Sequence, residues 1–235
     1  GNLDYALSSS TYLTDGTPTA RGGSRDIGAK SVGATGKLSW SPIDTLKVTG
    51  VARYSYTDAD SNDTALSGPQ FGTIVDTPGA RSTVEAYYGL VRAELALADG
   101  RWTNALSGQF ADTTRRALVD DALSFGNKGR RYKGSFESAF RFGTDRIRHR
   151  LTAAVDVERE EFQTLSAAPS EFVFTGRRHT DNIGIVGQYD VVVDDALAIS
   201  GSVRRDENNR FDDTTTYRAQ ASYRFTTGTR VRGAY

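Results

Sequence analysis

A chain of 235 residues without a single cysteine holds no disulfide framework, no thiolate metal site and no cysteine nucleophile. Its 29 Lys and Arg balance its 29 Asp and Glu, which argues against a nucleic-acid partner, where a basic excess is the rule. No run of about 18 apolar residues offers a transmembrane helix. The opening "GNLDYALSSS" carries neither the basic start nor the apolar stretch of a signal peptide, so a mature piece or a fragment is expected.

In chain order, period-two alternation recurs almost everywhere and helical periodicity almost nowhere. In "LKVTGVARYSY", Leu46, Val48, Tyr54 and Tyr56 share one face and Lys47, Thr49 and Arg53 the other, with Val51 out of pattern. In "YKGSFESAFRF", Tyr132, Phe136, Phe140 and Phe142 oppose Lys133, Ser135, Glu137 and Arg141. "IRHRLTAAVDVE" sets Ile147, Leu151, Val155 and Val157 against Arg148, Arg150, Asp156 and Glu158. "IGIVGQYDVVV" and "TTTYRAQASYRF" repeat the pattern, while "TVEAYYGLVRAELALA" is weaker and is assigned as a strand on the strength of its neighbours. Eleven strands are expected, near 3–12, 29–41, 46–57, 83–98, 101–113, 130–142, 146–160, 182–193, 196–206, 214–226 and 229–235.

Many of these strands reach ten residues, longer than the usual five or six and of the length that a tilted membrane span requires. The joins sharpen the argument. "SPIDT", "ADGR", "GTDR", "VDD" and "TTGT" are tight turns, and they alternate with polar joins near 13–28, 58–82, 114–129, 161–181 and 207–213. Up-and-down outer-membrane barrels have short turns at one end and long loops at the other. Trp40 and Trp102 both fall beside short turns on apolar faces, as residues of a lipid–water rim do. The expected fold is therefore all-β, an antiparallel up-and-down outer-membrane β-barrel with its apolar face against outer-membrane lipid. An odd strand count cannot close an antiparallel barrel, so 1–235 is expected to be a barrel segment, an open half barrel lacking C-terminal strands. Two other readings stand beside it: an autonomous small barrel of ten or twelve strands (a porin, an adhesin or an outer-membrane enzyme), and a soluble all-β binding module.

Catalytic constellations are absent from the pattern, and no cofactor is expected. His149 and His179 lack partners at ligand spacing. Glu158, Glu160 and Glu161 could pair with Arg177 and Arg178 across the next hairpin. "YTDADSND" gathers Asp58, Asp60 and Asp63 at the base of the longest join, a carboxylate cluster of the kind that suits calcium, though not at the EF-hand spacing. Arg53, Arg92, Arg141, Arg148, Arg150, Arg218 and Arg224 fall on polar faces and are expected to face a wet lumen, offset by Glu94, Glu137, Asp156 and Glu158.

The stretch 196–235, "ALAISGSVRRDENNRFDDTTTYRAQASYRFTTGTRVRGAY", resembles the barrel of TonB-dependent outer-membrane receptors, most nearly the vitamin B12 transporter-like subgroup. The likeness is carried by the "R-x-D" element of Arg204 and Asp206, "FDD" at 211–213, "TYR" at 216–218, "SYRF" at 222–225 and the "TGT" turn. It implies a 22-stranded barrel filled by an N-terminal plug and driven by the TonB system. Neither a plug nor a TonB box is in this stretch of chain. The resemblance implies that the lumenal arginines contact the plug, that the remaining strands complete the wall, and that the whole receptor takes up a large scarce solute, cobalamin-like or a ferric siderophore. Calcium in the loop at 58–63 would also accord with it.

Overall fold

A computed structural model describes residues 2–166 and 175–235. The chain runs β1 (Leu3–Thr14), β2 (Ala29–Ile43), β3 (Leu46–Asp60), β4 (Asp63–Thr64), β5 (Ile74–Val75), β6 (Ala80–Leu97), β7 (Trp102–Val119), β8 (Ala122–Gly143), β9 (Ile147–Ser166), β10 (Arg177–Val193), β11 (Leu197–Asn208), β12 (Thr214–Arg224) and β13 (Arg230–Ala234). Eleven of these form one sheet in the order β1-β2-β3-β6-β7-β8-β9-β10-β11-β12-β13, and β4 and β5 make a separate miniature hairpin. Every neighbour in the large sheet is next in the chain and antiparallel. β1 and β13 do not meet, so the sheet stays open. The eleven expected strands are all present, and an autonomous closed barrel is not what this chain forms. Among the described residues no helix is long and apolar enough to cross a membrane; crossing by strands is a separate matter.

A soluble domain of this size would bury a large core. Here the buried apolar residues among those described are Ala20, Ala80, Ala86 and Ala139, and no large side chain is fully buried. The accessible surface is 16004 Å², against about 10,400 Å² for a compact soluble chain of this mass. The exposure is one-sided. Leu106 and Ile185 are 61% and 58% exposed, whereas Ala139 and Thr152, on the opposite face, are 0% and 9% exposed. Along β11, from Ala198 onward, exposed and sheltered residues alternate one by one. Side chains on the inside of a curved sheet crowd and shelter one another, so the polar face is the sheltered one. The apolar face is left bare, the reverse of a soluble sheet and the arrangement lipid favours. Among the described residues no second layer covers the apolar face, as the soluble-module reading would require.

Cross-strand register arranges that face into a belt. Trp40, Val48, Ala93, Leu106, Phe136, Val155 and Ile185 follow one another across seven strands. On β8, β9 and β10 the apolar segments are 132–142, 147–157 and 183–193, each 11 residues long, the length of a tilted transmembrane strand. They start at the tight turns 144–146 and 194–196. Trp102, beside another tight turn, donates from Nε1 to Ser138 Oγ at 2.8 Å across the rim of the belt.

At the opposite end the strands run on past the belt, which corrects the expected joins. β8 has 22 residues and β9 has 20, so each overshoots an eleven-residue belt by roughly 30 Å at 3.3 Å per residue. The join expected over 114–129 is strand on both sides of a turn at Asp120 and Asp121, with φ of 48° and 63°. Short and long connections therefore do not alternate without exception. Likewise β9 and β10 reach into the join expected at 161–181, and part of that stretch, 167–174, lies outside the described residues. Alternation failed as a signal there because the bare face turns polar beyond the belt: once both faces are polar, period two no longer shows in composition.

Candidate functional site

The polar face of β8–β11 carries a connected ion network. Asp156, Gly184 and Asp206 lie in one cross-strand row. Arg204, on the same face of β11, bridges that row: its guanidinium donates to Asp206 at 2.6 and 2.7 Å and to Asp156 at 3.1 and 3.3 Å. The bridge passes directly over Gly184, where a Cβ would push the Arg204 guanidinium and the Asp156 carboxylate aside. Lys133 Nζ lies 3.4 Å from Glu158 and 3.9 Å from Asp156, and Arg131 reaches Glu158 at 2.7 Å and Glu160 at 3.5 Å. Nearer the short-turn end, Arg150 sits 3.6 Å from Glu137. Its Nε and the Thr152 hydroxyl are sheltered without a hydrogen-bond partner among the described residues.

All seven arginines expected to be lumenal project from this polar face, as the register parity shows. Their partners differ. Arg92 pairs with Glu94 at 3.1 Å, Arg148 with Asp195, and Arg141 donates to the Gly100 carbonyl at 3.2 Å. Among the described residues Arg218 reaches only the Gln220 side-chain oxygen, at 3.0 Å. Arg53 and Arg224 form no ion pair with the described residues. The expected offset by Glu94, Glu137, Asp156 and Glu158 is thus formed in part by other cations, Arg131, Lys133 and Arg204.

Beyond the belt, the continuation of the apolar face is a charged ladder. Asp112 accepts from Arg130 Nε at 2.7 Å and lies 3.3 Å from Lys128 Nζ. Burial pushes its carboxyl up, but those two cations outweigh burial and hold it below the usual aspartate range. Arg159 forks onto Asp181 at 2.6 and 2.8 Å, and this bidentate bond holds the Asp181 carboxyl low. Arg177 stands 3.7 Å from Glu161. This contact is one of the anticipated pairs of Glu158, Glu160 and Glu161 with Arg177 and Arg178; Glu158 and Glu160 face the other side of β9 and pair with Arg131.

The three aspartates considered for calcium do not converge. Asp58 pairs with Arg81 at 2.6 Å, Asp60 pairs with Arg25 at 2.9 Å, and Asp63 lies exposed on β4. Among the described residues no three acidic or histidine side chains come together as metal ligands. Alternation explains this: Asp58 and Asp60 share a face, but each has a cation of its own. Arg25 also donates to the carbonyls of Ser61 and Ala80 at 2.6 and 2.8 Å and so ties the β1–β2 join to the start of the β3–β6 join. Asp76 completes the tie by accepting from the backbone of Ser24 and Arg25.

No family model matches the sequence, and no curated protein does. Solved structures do. The siderophore receptor PirA from Pseudomonas aeruginosa superposes with a TM-score of 0.72 at 14% identity, over 99% of this chain and 36% of its own. The ferric-catecholate import receptor Fiu from E. coli K12 gives 0.72 at 11% identity, over 100% of this chain and 50% of its own. The RagAB peptide transporter gives 0.68 at 12% identity, over 100% of this chain and 35% of its own. The fold is that of an outer-membrane β-barrel wall. The chain spans between about a third and a half of the length of these structures.

Two details of the barrel wall escaped sequence reasoning. His149, assigned no partner, stacks on Phe142 with ring centroids 4.8 Å apart, and its Nδ1 lies 2.7 Å from the Tyr189 hydroxyl. Both partners lie on adjacent strands and were beyond any sequence spacing. Arg204, the hub of the polar network, was noticed only as part of a motif; its spacing to Asp206, two residues on and hence on the same face, was the available signal.

Proposed function

We propose that the chain is wall and loops of a TonB-dependent outer-membrane receptor that takes up a large scarce solute and does no covalent chemistry. The observation that carries this is the bare apolar belt on a sheet whose described residues bury only alanines among their apolar side chains and form no second layer, in the fold of receptors and importers. In this reading the apolar face lies in outer-membrane lipid and the polar face lines a lumen that a plug fills. The unpartnered Arg150 Nε and Thr152 hydroxyl await groups from that interior. The open edges of β1 and β13 meet further strands of the same wall.

A ferric siderophore is favoured as the solute, because several of the similar structures are named for siderophores or ferric catecholates. A cobalamin-like solute rests on the likeness of 196–235 alone. Uptake of iron-55-labelled siderophore and of labelled cyanocobalamin by cells with and without the complete protein tests the reading. Uptake of one solute that stops when the proton-motive force is dissipated is the expected result. Passive conductance of small ions, indifferent to the uncoupler, would overturn it in favour of a porin.

A further inference from the structure

The β1–β2 join, 15–28, and the β3–β6 join, 61–79, meet at Arg25. Its side chain is 18% exposed and its guanidinium is saturated from the second join and its flanks. Nη1 donates to the Ser61 carbonyl and the Asn62 side-chain oxygen at 2.6 and 3.1 Å, and Nη2 to the Asp60 carboxylate and the Ala80 carbonyl at 2.9 and 2.8 Å. Asp76 returns the tie, accepting from the N–H groups of Ser24 and Arg25 at 2.8 and 3.2 Å. Asn62 adds a third link: it donates to Thr19 Oγ1 at 3.2 Å and accepts from the Thr77 N–H at 3.0 Å. Gly23 lies so close to Ala20 and Asp76 that a Cβ there would meet both. The pair of joins is seated on the β7–β8 turn, where the Asp120 N–H donates to the Gly79 carbonyl at 3.1 Å and Arg81 reaches Asp121. Local opening costs what the contacts of the opening segment are worth. Little apolar area is buried here, so the polar lock sets that cost. Freeing either join alone would strand the sheltered guanidinium and the carbonyls it satisfies.

We propose that the two joins are a single cap, locked by Arg25, which moves as one body, so that neither join opens without the other. In the complete protein in detergent, Arg25→Gln should lower hydrogen-exchange protection across 15–28 and 61–79 together, by at least about tenfold. Arg25→Lys should do much the same, because an ammonium cannot fork onto four acceptors. Thr73→Ala removes the bond from Thr73 Oγ1 to the Gln70 carbonyl and should loosen the β4–β5 hairpin alone. Protection of the belt strands should be unchanged in all three, which verifies that each variant has assembled. Loss of protection in one join with the other unchanged would overturn the single cap. A second test leaves Arg25 in place and rests on the transport reading. Thr19→Cys and Asn62→Cys, in a chain with no cysteine of its own, can be bridged by dibromobimane. Cells carrying the bridged protein should take up iron-55-labelled siderophore as fast as cells carrying the unbridged pair. Uptake lost on bridging alone would show that the joins part during transport and would overturn the cap. Uptake absent before bridging as well is a failure of the transport reading instead, and the exchange measurement then decides the cap by itself.

Discussion

Single residues on this wall have their consequences set by which face they occupy and how far along the strand they lie. Phe136 and Val155 are cross-strand partners on the bare face within the belt. Changing either to Lys should destabilise the assembled barrel by about 2–4 kcal/mol, the cost of a cation near the bilayer midplane. Ser200→Lys, on the polar face of β11 opposite Asp190, should be nearly neutral. Ser135 and Thr152 would make poor controls, since Ser135 bonds Ser107 at 2.7 Å and Thr152 is sheltered. Urea unfolding of the complete protein in lipid vesicles separates the two outcomes, and equal penalties on both faces would reject the orientation. Past the belt, burial of charge decides. Asp112→Asn would leave Arg130 and Lys128 facing a neutral amide and should cost about 1–3 kcal/mol. The pH dependence has a definite sign. Asp112 and Asp181 both sit below the ordinary aspartate pKa of about 3.9. Their contribution is therefore complete above that value and fades as pH falls through the depressed folded values. Hydrogen-exchange protection factors, corrected for the intrinsic rate at each pH, should fall in the far halves of β7–β10 below about pH 4, while those within the belt stay constant. A uniform response would show that the ladder does not act locally.

At the scale of strands and turns, the belt was legible in the sequence and the overshoot was not. Within the belt one face must be apolar, so Leu151, Val155 and Val157 alternate with Thr152, Asp156 and Glu158 and period two is plain. Beyond it Asp112, Thr114, Lys128 and Arg130 stand where apolar residues stood lower down, and the same strands look like loop. One local signal survived. The pentapeptide "VDDAL" occurs at 119–123 and again at 193–197. The second copy reads as a tight turn; the first lies inside the stretch that looked like a long join. The structure gives both the same backbone: φ is 48° and 63° at Asp120 and Asp121, 47° and 55° at Asp194 and Asp195. Two successive positive φ values mark a type I′ turn, which β-branched residues resist. Asp121 also accepts from Arg81 at 2.7 Å. The polar network was legible only as a face, because the arginine that reaches over Gly184 is placed by three-strand register and not by local spacing. Replacing Asp120 and Asp121 by Asn-Gly should leave the β7–β8 hairpin in register at no cost beyond the Arg81 contact. Val-Val there should cost about 1–2 kcal/mol per residue. Chemical denaturation of the two variants measures the gap, and indistinguishable midpoints would mean that the turn does not set the register.

Taken as a whole molecule, eleven strands in sequential order leave two free edges, and the consequence is energetic. β1 presents the outward backbone groups of 12 residues, and β13 those of 5. In hydrocarbon each unsatisfied N–H or C=O costs several kcal/mol, so an open sheet cannot sit stably in a bilayer. In water the outcome is no better: the belt remains exposed, and a long unpaired edge templates association with another chain. Detergent would cover the belt but cannot pair the edges, because its head groups do not supply a ladder of alternating donors and acceptors. The 235-residue chain on its own should therefore refold in detergent into polydisperse, protease-sensitive oligomers joined edge to edge. Adding strands until the two edges meet should give a heat-resistant monomer. Size-exclusion chromatography with light scattering, followed by limited proteolysis, distinguishes these states. A monodisperse, protease-resistant monomer that conducts in planar bilayers would mean that β1 and β13 close on each other after all, and the reading of an open wall segment would have to give way to that of a small porin.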